Sequence, residues 1–110
     1  MTREEVISWL RRYRRDETYK PSKRLFGWKL NYDFMRASYE RFLVLELIRR
    51  INDSLKEPMD VIIDFYYRMD DIVCESEQSR TWTFASTMEN CCADILRYLR
   101  EKEKNEDAKN

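Results

Sequence analysis

Between Arg11 and Lys29 the sequence RRYRRDETYKPSKRLFGWK interleaves cations with aromatic rings. Lysine and arginine neutralise phosphates, and flat rings stack on exposed bases. Arg11, Arg12, Arg14, Arg15, Lys20, Lys23, Arg24 and Trp28 therefore form a candidate surface for a nucleic acid or an acidic protein partner, with Tyr13, Tyr19 and Phe26 among them. A structural reading competes with it. Arginines at the C-terminal end of a helix complement its dipole by roughly 0.3–1 kcal/mol each, and Leu25, Phe26 and Trp28 would then lie back on the body of the protein as a hydrophobic clasp. No helix-turn-helix or other nucleic-acid fingerprint accompanies the segment.

The second group with chemical potential is acidic. Asp60, Asp64, Asp71 and Glu75 recur at helical spacing, with Arg68 among them and Glu40 and Glu46 in the preceding segment. Carboxylates converging from two helices hold Mg²⁺ for phosphate chemistry. All-α nucleotide pyrophosphohydrolases build such a site from E-x-x-E and E-x-x-D pairs. Here the pairs in the stripe are four apart and Glu40 and Glu46 are six apart, so the pattern does not match and a solvated helix face explains it better.

Histidine is absent, which removes the usual near-neutral base and the commonest nitrogen ligand for metals. Ser-His-Asp and Cys-His catalysis are excluded, as are histidine-bearing zinc, haem and di-iron sites. The cysteines, Cys74, Cys91 and Cys92, are odd in number and form no C-x-x-C pair. Neither a disulfide framework nor a four-thiolate zinc site fits one chain; Cys91 and Cys92 read as small buried hydrophobes. No metal, cofactor or small-molecule ligand is expected.

The elements that carry these residues follow from pattern and punctuation. One glycine and two prolines in 110 residues supply too few turn-formers for a sandwich of short strands. Thr2 to Glu5 has the form of a capping box, and Val6, Leu10 and Tyr13 give a stripe for a first helix over about 2–15, loosely attached. Residues 16–30 hold Pro21 and Gly27 and read as the one long connection. Asn31 is a candidate N-cap for a helix over about 31–56; Ala37, Val44, Ile48, Ile51 and Leu55 keep one face, and FLVLELI is apolar nearly all round, as in a central helix packed on several sides. Pro58 opens the next helix, about 58–77, where its missing N–H costs nothing, with Met59, Ile62, Ile63, Tyr66, Met69 and Val73 on its apolar face. Ala85, Met88, Cys92, Ile95 and Leu99 form a heptad-like seam in a last helix over about 82–103, and 105–110 reads as a disordered tail.

The expected fold is all-α: an antiparallel helical bundle of three long helices plus a short N-terminal helix, one domain over 1–104. A chain of this length buries roughly 65% of its unfolded surface, enough for a single core. The run Phe42–Ile48 is broken by Glu46 and too short to span a bilayer. The N-terminus, with acidic residues before its apolar stretch, is unlike a secretory signal, so a cytoplasmic protein with reduced thiols is expected.

Charge is distributed unevenly. Residues 1–50 hold 13 Lys+Arg against 7 Asp+Glu, a balance of +6, and residues 51–110 hold 8 against 14, a balance of −6, so the net charge is zero. Such halves pair within the fold, pair between copies, or meet a charged partner. Trp9, Trp82 and the seven tyrosines exceed what a small core accommodates, which points to an interface. Trp9, Tyr13 and Trp82 are the candidates for self-association. The leading expectation is a non-catalytic interaction or adaptor protein that forms a homo-oligomer, a dimer before other orders. The alternative is a nucleic-acid-binding accessory protein using residues 11–29; a carboxylate-metal phosphohydrolase ranks third.

Overall fold

The side-chain oxygen of Thr2 accepts a hydrogen bond from the Glu5 N–H at 3.2 Å, which starts α1, Arg3–Asp16, as a capped helix. A computed structural model describes the backbone of residues 1–16 and 27–108 and the side chains of residues 1–13 and 36–107. Within these bounds the chain is all-α: α1 is followed by α2 (Gly27–Asp53), α3 (Pro58–Glu75) and α4 (Ser79–Ala108), and no strand occurs among the described residues.

Several boundaries differ from expectation. Residues 27–30 are helical, not part of the connection; Trp28, Lys29 and Leu30 suit a helix, and a glycine at its edge costs less than one in its interior. Asn31, expected as the N-cap, therefore lies inside α2. At the other end α2 stops at Asp53, short of Lys56. Glu57 precedes Pro58, whose ring disfavours helical backbone at the residue before it, and Glu57 is extended (φ −59°, ψ 142°). Ser76, also extended (φ −78°, ψ 129°), ends α3 two residues early while its N–H still bonds to Ile72 O.

The last helix is longer than its seam suggests. The Thr83 and Thr87 hydroxyls donate to the carbonyls of Ser79 and Thr83, each at 2.7 Å, so the polar stretch that weakens helix propensity satisfies its side chains within the helix. α4 also continues to Ala108, through most of the expected disordered tail: the run Glu101–Lys104 that leads into it is made of good helix formers, as are Glu106 and Ala108.

All four helices contribute to one core. Val6 and Leu10 of α1 are wholly buried, so the first helix is not loosely attached. The Arg3 guanidinium donates to Ser54 O at 2.8 Å, tying its start to the α2–α3 connection. The seam expected on α4 holds in full, since Ala85, Met88, Cys92, Ile95 and Leu99 are buried. α3 and α4 form the most extensive contact, joined by a link of three residues, and the Cys92 thiol donates to Ile62 O at 3.5 Å across it. The buried face of α3 centres on Val61, Ile62, Phe65 and Met69, with Met59, Ile63, Tyr66 and Val73 half-buried at its sides.

Candidate functional site

Of the basic segment, the structure describes the side chains of Arg11 and Arg12, and both are exposed. The side chains of Arg14, Arg15, Lys20, Lys23, Arg24 and Trp28 lie outside the described residues, as does the proposed clasp. Next to Arg12, Tyr13 stacks on Trp9 with ring centroids 5.3 Å apart, the i,i+4 spacing bringing both rings to one side of α1. Tyr98 of α4 closes this group at 6.4 Å from each ring, and the Arg97 guanidinium lies over Tyr98 at 5.4 Å. Trp9 and Tyr13 are thus partners of α4. Trp82, half-exposed, lies sixteen residues before Tyr98 on the same helix, about 24 Å away at 1.5 Å per residue. The structure therefore does not gather Trp9, Tyr13 and Trp82 into one surface.

The acidic stripe is a solvated face. Asp60, Asp64, Asp71 and Glu75 are exposed, Asp64 pairs with Lys56 at 2.7 Å, and no metal-binding group of three or more ligands forms among the described residues. Glu40 is directed elsewhere: it accepts from Arg36 at 3.2 Å and from the Cys91 thiol at 3.5 Å. Glu46 holds Arg49 at 2.6 Å and Arg50 at 2.9 Å, and these bonds, that of Arg49 foremost, keep its carboxyl below the usual range. Glu89 of α4 behaves differently. Burial, followed by the neighbouring Asp70, raises the Glu89 carboxyl, while the hydrogen bond from Tyr66 opposes the rise.

Burial also pushes the Cys91 and Cys92 thiols up to about 12, with the Glu40 charge adding to the effect at Cys91. Thiols held protonated are inert as nucleophiles. Cys74 is exposed.

The feature that sequence reasoning missed lies on α2. Among its exposed positions Ser38, Arg41, Phe42, Leu45, Arg49 and Asn52 follow the three-and-four rhythm of one helix face. Phe42 is 52% and Leu45 53% exposed, so the FLVLELI run is not packed on all sides. Phe42 leans on Phe84 of α4, with centroids 6.2 Å apart, and Phe84 meets Tyr39 edge-on at 5.1 Å. Leu55, expected on the apolar face of this helix, lies beyond its end and is fully exposed. The exposed face of α3 bears Asp60, Asp64, Tyr67, Arg68, Asp71 and Glu75.

These two faces meet at a groove of about 350 Å³ between the end of α2 and the first turns of α3. Val61 and Phe65 line it with Arg49, Arg50, Asp64 and Arg68, and Arg50 lies over the Phe65 ring at 5.0 Å. No helix among the described residues is long and apolar enough to cross a membrane. No family model matches this chain, and neither a curated protein nor a solved structure matches it.

Proposed function

We propose that this protein is a non-catalytic helical interaction module that associates with copies of itself. The observation that carries this reading is the pair Phe42 and Leu45, one helical turn apart and each about half exposed on a helix whose opposite face is core. Burying a large apolar side chain fully contributes about 1.5–3 kcal/mol, and these two leave much of that unrealised in a single copy. Adjacent exposed apolar side chains on a small domain commonly mark an interface. The opposed charges of the two halves of the chain favour a second copy as the occupant. Free thiols at Cys74, Cys91 and Cys92 suit a reducing compartment such as the cytoplasm.

Size-exclusion chromatography with light scattering, at low and at high salt, tests the reading. It expects a mass above 13.6 kDa that rises with concentration and persists at high salt. A monomer at every concentration overturns it. The same measurement with short DNA and RNA decides the second reading, nucleic-acid binding, which draws support from exposed Arg11 and Arg12 beside the Trp9–Tyr13 stack. A complex that dissolves as salt rises would replace the first reading with the second.

A further inference from the structure

We propose that two copies pair reciprocally, with the arginine and apolar face of α2 in each copy, Arg41, Phe42, Leu45 and Arg49, against the carboxylate and tyrosine face of α3 in the other, Asp64, Tyr67 and Asp71. This rests on the self-association reading and says which surfaces carry it.

Charge complementarity identifies the second copy. The α2 face presents Arg41 and Arg49, the latter already held by Glu46 and Asp53, whereas the α3 face presents Asp60, Asp64, Asp71 and Glu75 around the single cation Arg68, beside Tyr67, and stays acidic in balance. Within one copy these charges are only partly satisfied. Arg49 bonds Glu46 and Asp53, and Asp64 bonds Lys56, but Arg41 on α2 and Asp71 and Glu75 on α3 enter no ion pair among the described residues. The faces are also continuous. Arg49 of the first and Asp64 of the second line the same groove, and the fully exposed Leu55 stands in the connection between them. Among the described residues, four of the six exposed large hydrophobic side chains, Phe42, Leu45, Leu55 and Tyr67, fall on this continuous stretch; the other two, Trp82 and Tyr98, lie on α4.

A two-fold axis uses such a surface twice. In an isologous dimer, residue i of one copy meets residue j of the other and the reverse contact follows by symmetry. A basic face beside an acidic face therefore produces two cation–carboxylate seams with apolar side chains between them. Both seams are absent from the single chain, which is why the unmatched charges remain there.

The test is a charge exchange read by sedimentation equilibrium. Arg41→Glu reverses the charge set against Asp71 while Arg49 stays in place, and Asp71→Arg adds a second cation, beside Arg68, to the acidic face. Each variant alone is expected to dissociate about tenfold or more readily than the parent, because like charges then meet across both seams. An equimolar mixture of the two is expected to recover association, since in the mixed pair each reversed charge faces its opposite. Recovery on mixing also shows that neither variant has lost its fold, as does an unchanged far-ultraviolet circular dichroism spectrum. Trp82→Ser, on a separate part of the surface, is expected to leave association unchanged. If the parent associates but the reversals do not weaken it, or the mixture fails to recover, the pairing of these faces is overturned while self-association stands. A parent that is monomeric at submillimolar concentration overturns both.

Discussion

The Cys91 thiol of α4 and the Glu40 carboxylate of α2 meet at one atom: Cys91 Sγ donates to Glu40 Oε1 at 3.5 Å, across 51 residues of chain. The same oxygen receives the Arg36 guanidinium at 3.2 Å, and Arg36 reaches on to Asp94 at 3.7 Å. A partly buried carboxylate is thereby satisfied by a cation from its own helix and a thiol from another, which joins α2 to α4 by polar contact beside the apolar core.

Thiol accessibility follows directly. Cys74 is exposed and Cys91 and Cys92 are buried, with both buried thiols raised to about 12. Titration with a disulfide reagent at mildly alkaline pH is expected to modify Cys74 alone in the folded protein, and all the cysteines after denaturation. Rapid modification of Cys91 under native conditions would contradict the packing of α4 on α2.

Leu10 tests the place of the first helix. It is wholly buried, and removing a buried leucine to alanine costs about 2–5 kcal/mol. Leu10→Ala is expected to lower the urea midpoint accordingly, with an unchanged dependence on denaturant. A loss well below 1 kcal/mol on that scale would mean that α1 contributes little to the core.

Glu89 gives a pH dependence. Burial and Asp70 raise its carboxyl in the folded chain, so the folded state binds this proton more tightly than the unfolded state. Its contribution to stability is complete below its unfolded value and is lost as pH rises through the raised folded value. Glu89→Gln stays uncharged throughout. The melting temperature of the variant is expected to fall less than that of the parent between acid and neutral pH, and two parallel profiles would dismiss this role for Glu89.

How far the sequence disclosed the fold depended on the number of neighbours each helix has. On α4 the positions Ala85, Met88, Cys92, Ile95 and Leu99 are all core, because one apolar stripe against a polar background leaves little choice of face. On α2 apolar residues surround the helix, and periodicity alone does not say which side lacks a partner. Phe42 and Leu45 were therefore hidden among Leu43, Val44 and Leu47, which are buried. The rhythm that reached Leu55 took no account of the restriction Pro58 places on Glu57. For the candidate surface, the acidic face of α3 could be read from spacing, whereas its continuity with the arginines of α2 depends on how two helices cross.

The three-residue link between α3 and α4 also bears on the order of assembly. That pair can zip from its turn outward, each new contact extending one already made, while the bonds Arg3 to Ser54 and Cys91 to Glu40 each span 51 residues and require the ends of long loops to meet. The α3–α4 hairpin is thus the expected folding nucleus, with α1 docking after the rate-limiting step. In kinetic terms, Ile62→Val should slow folding while Leu10→Ala should chiefly hasten unfolding.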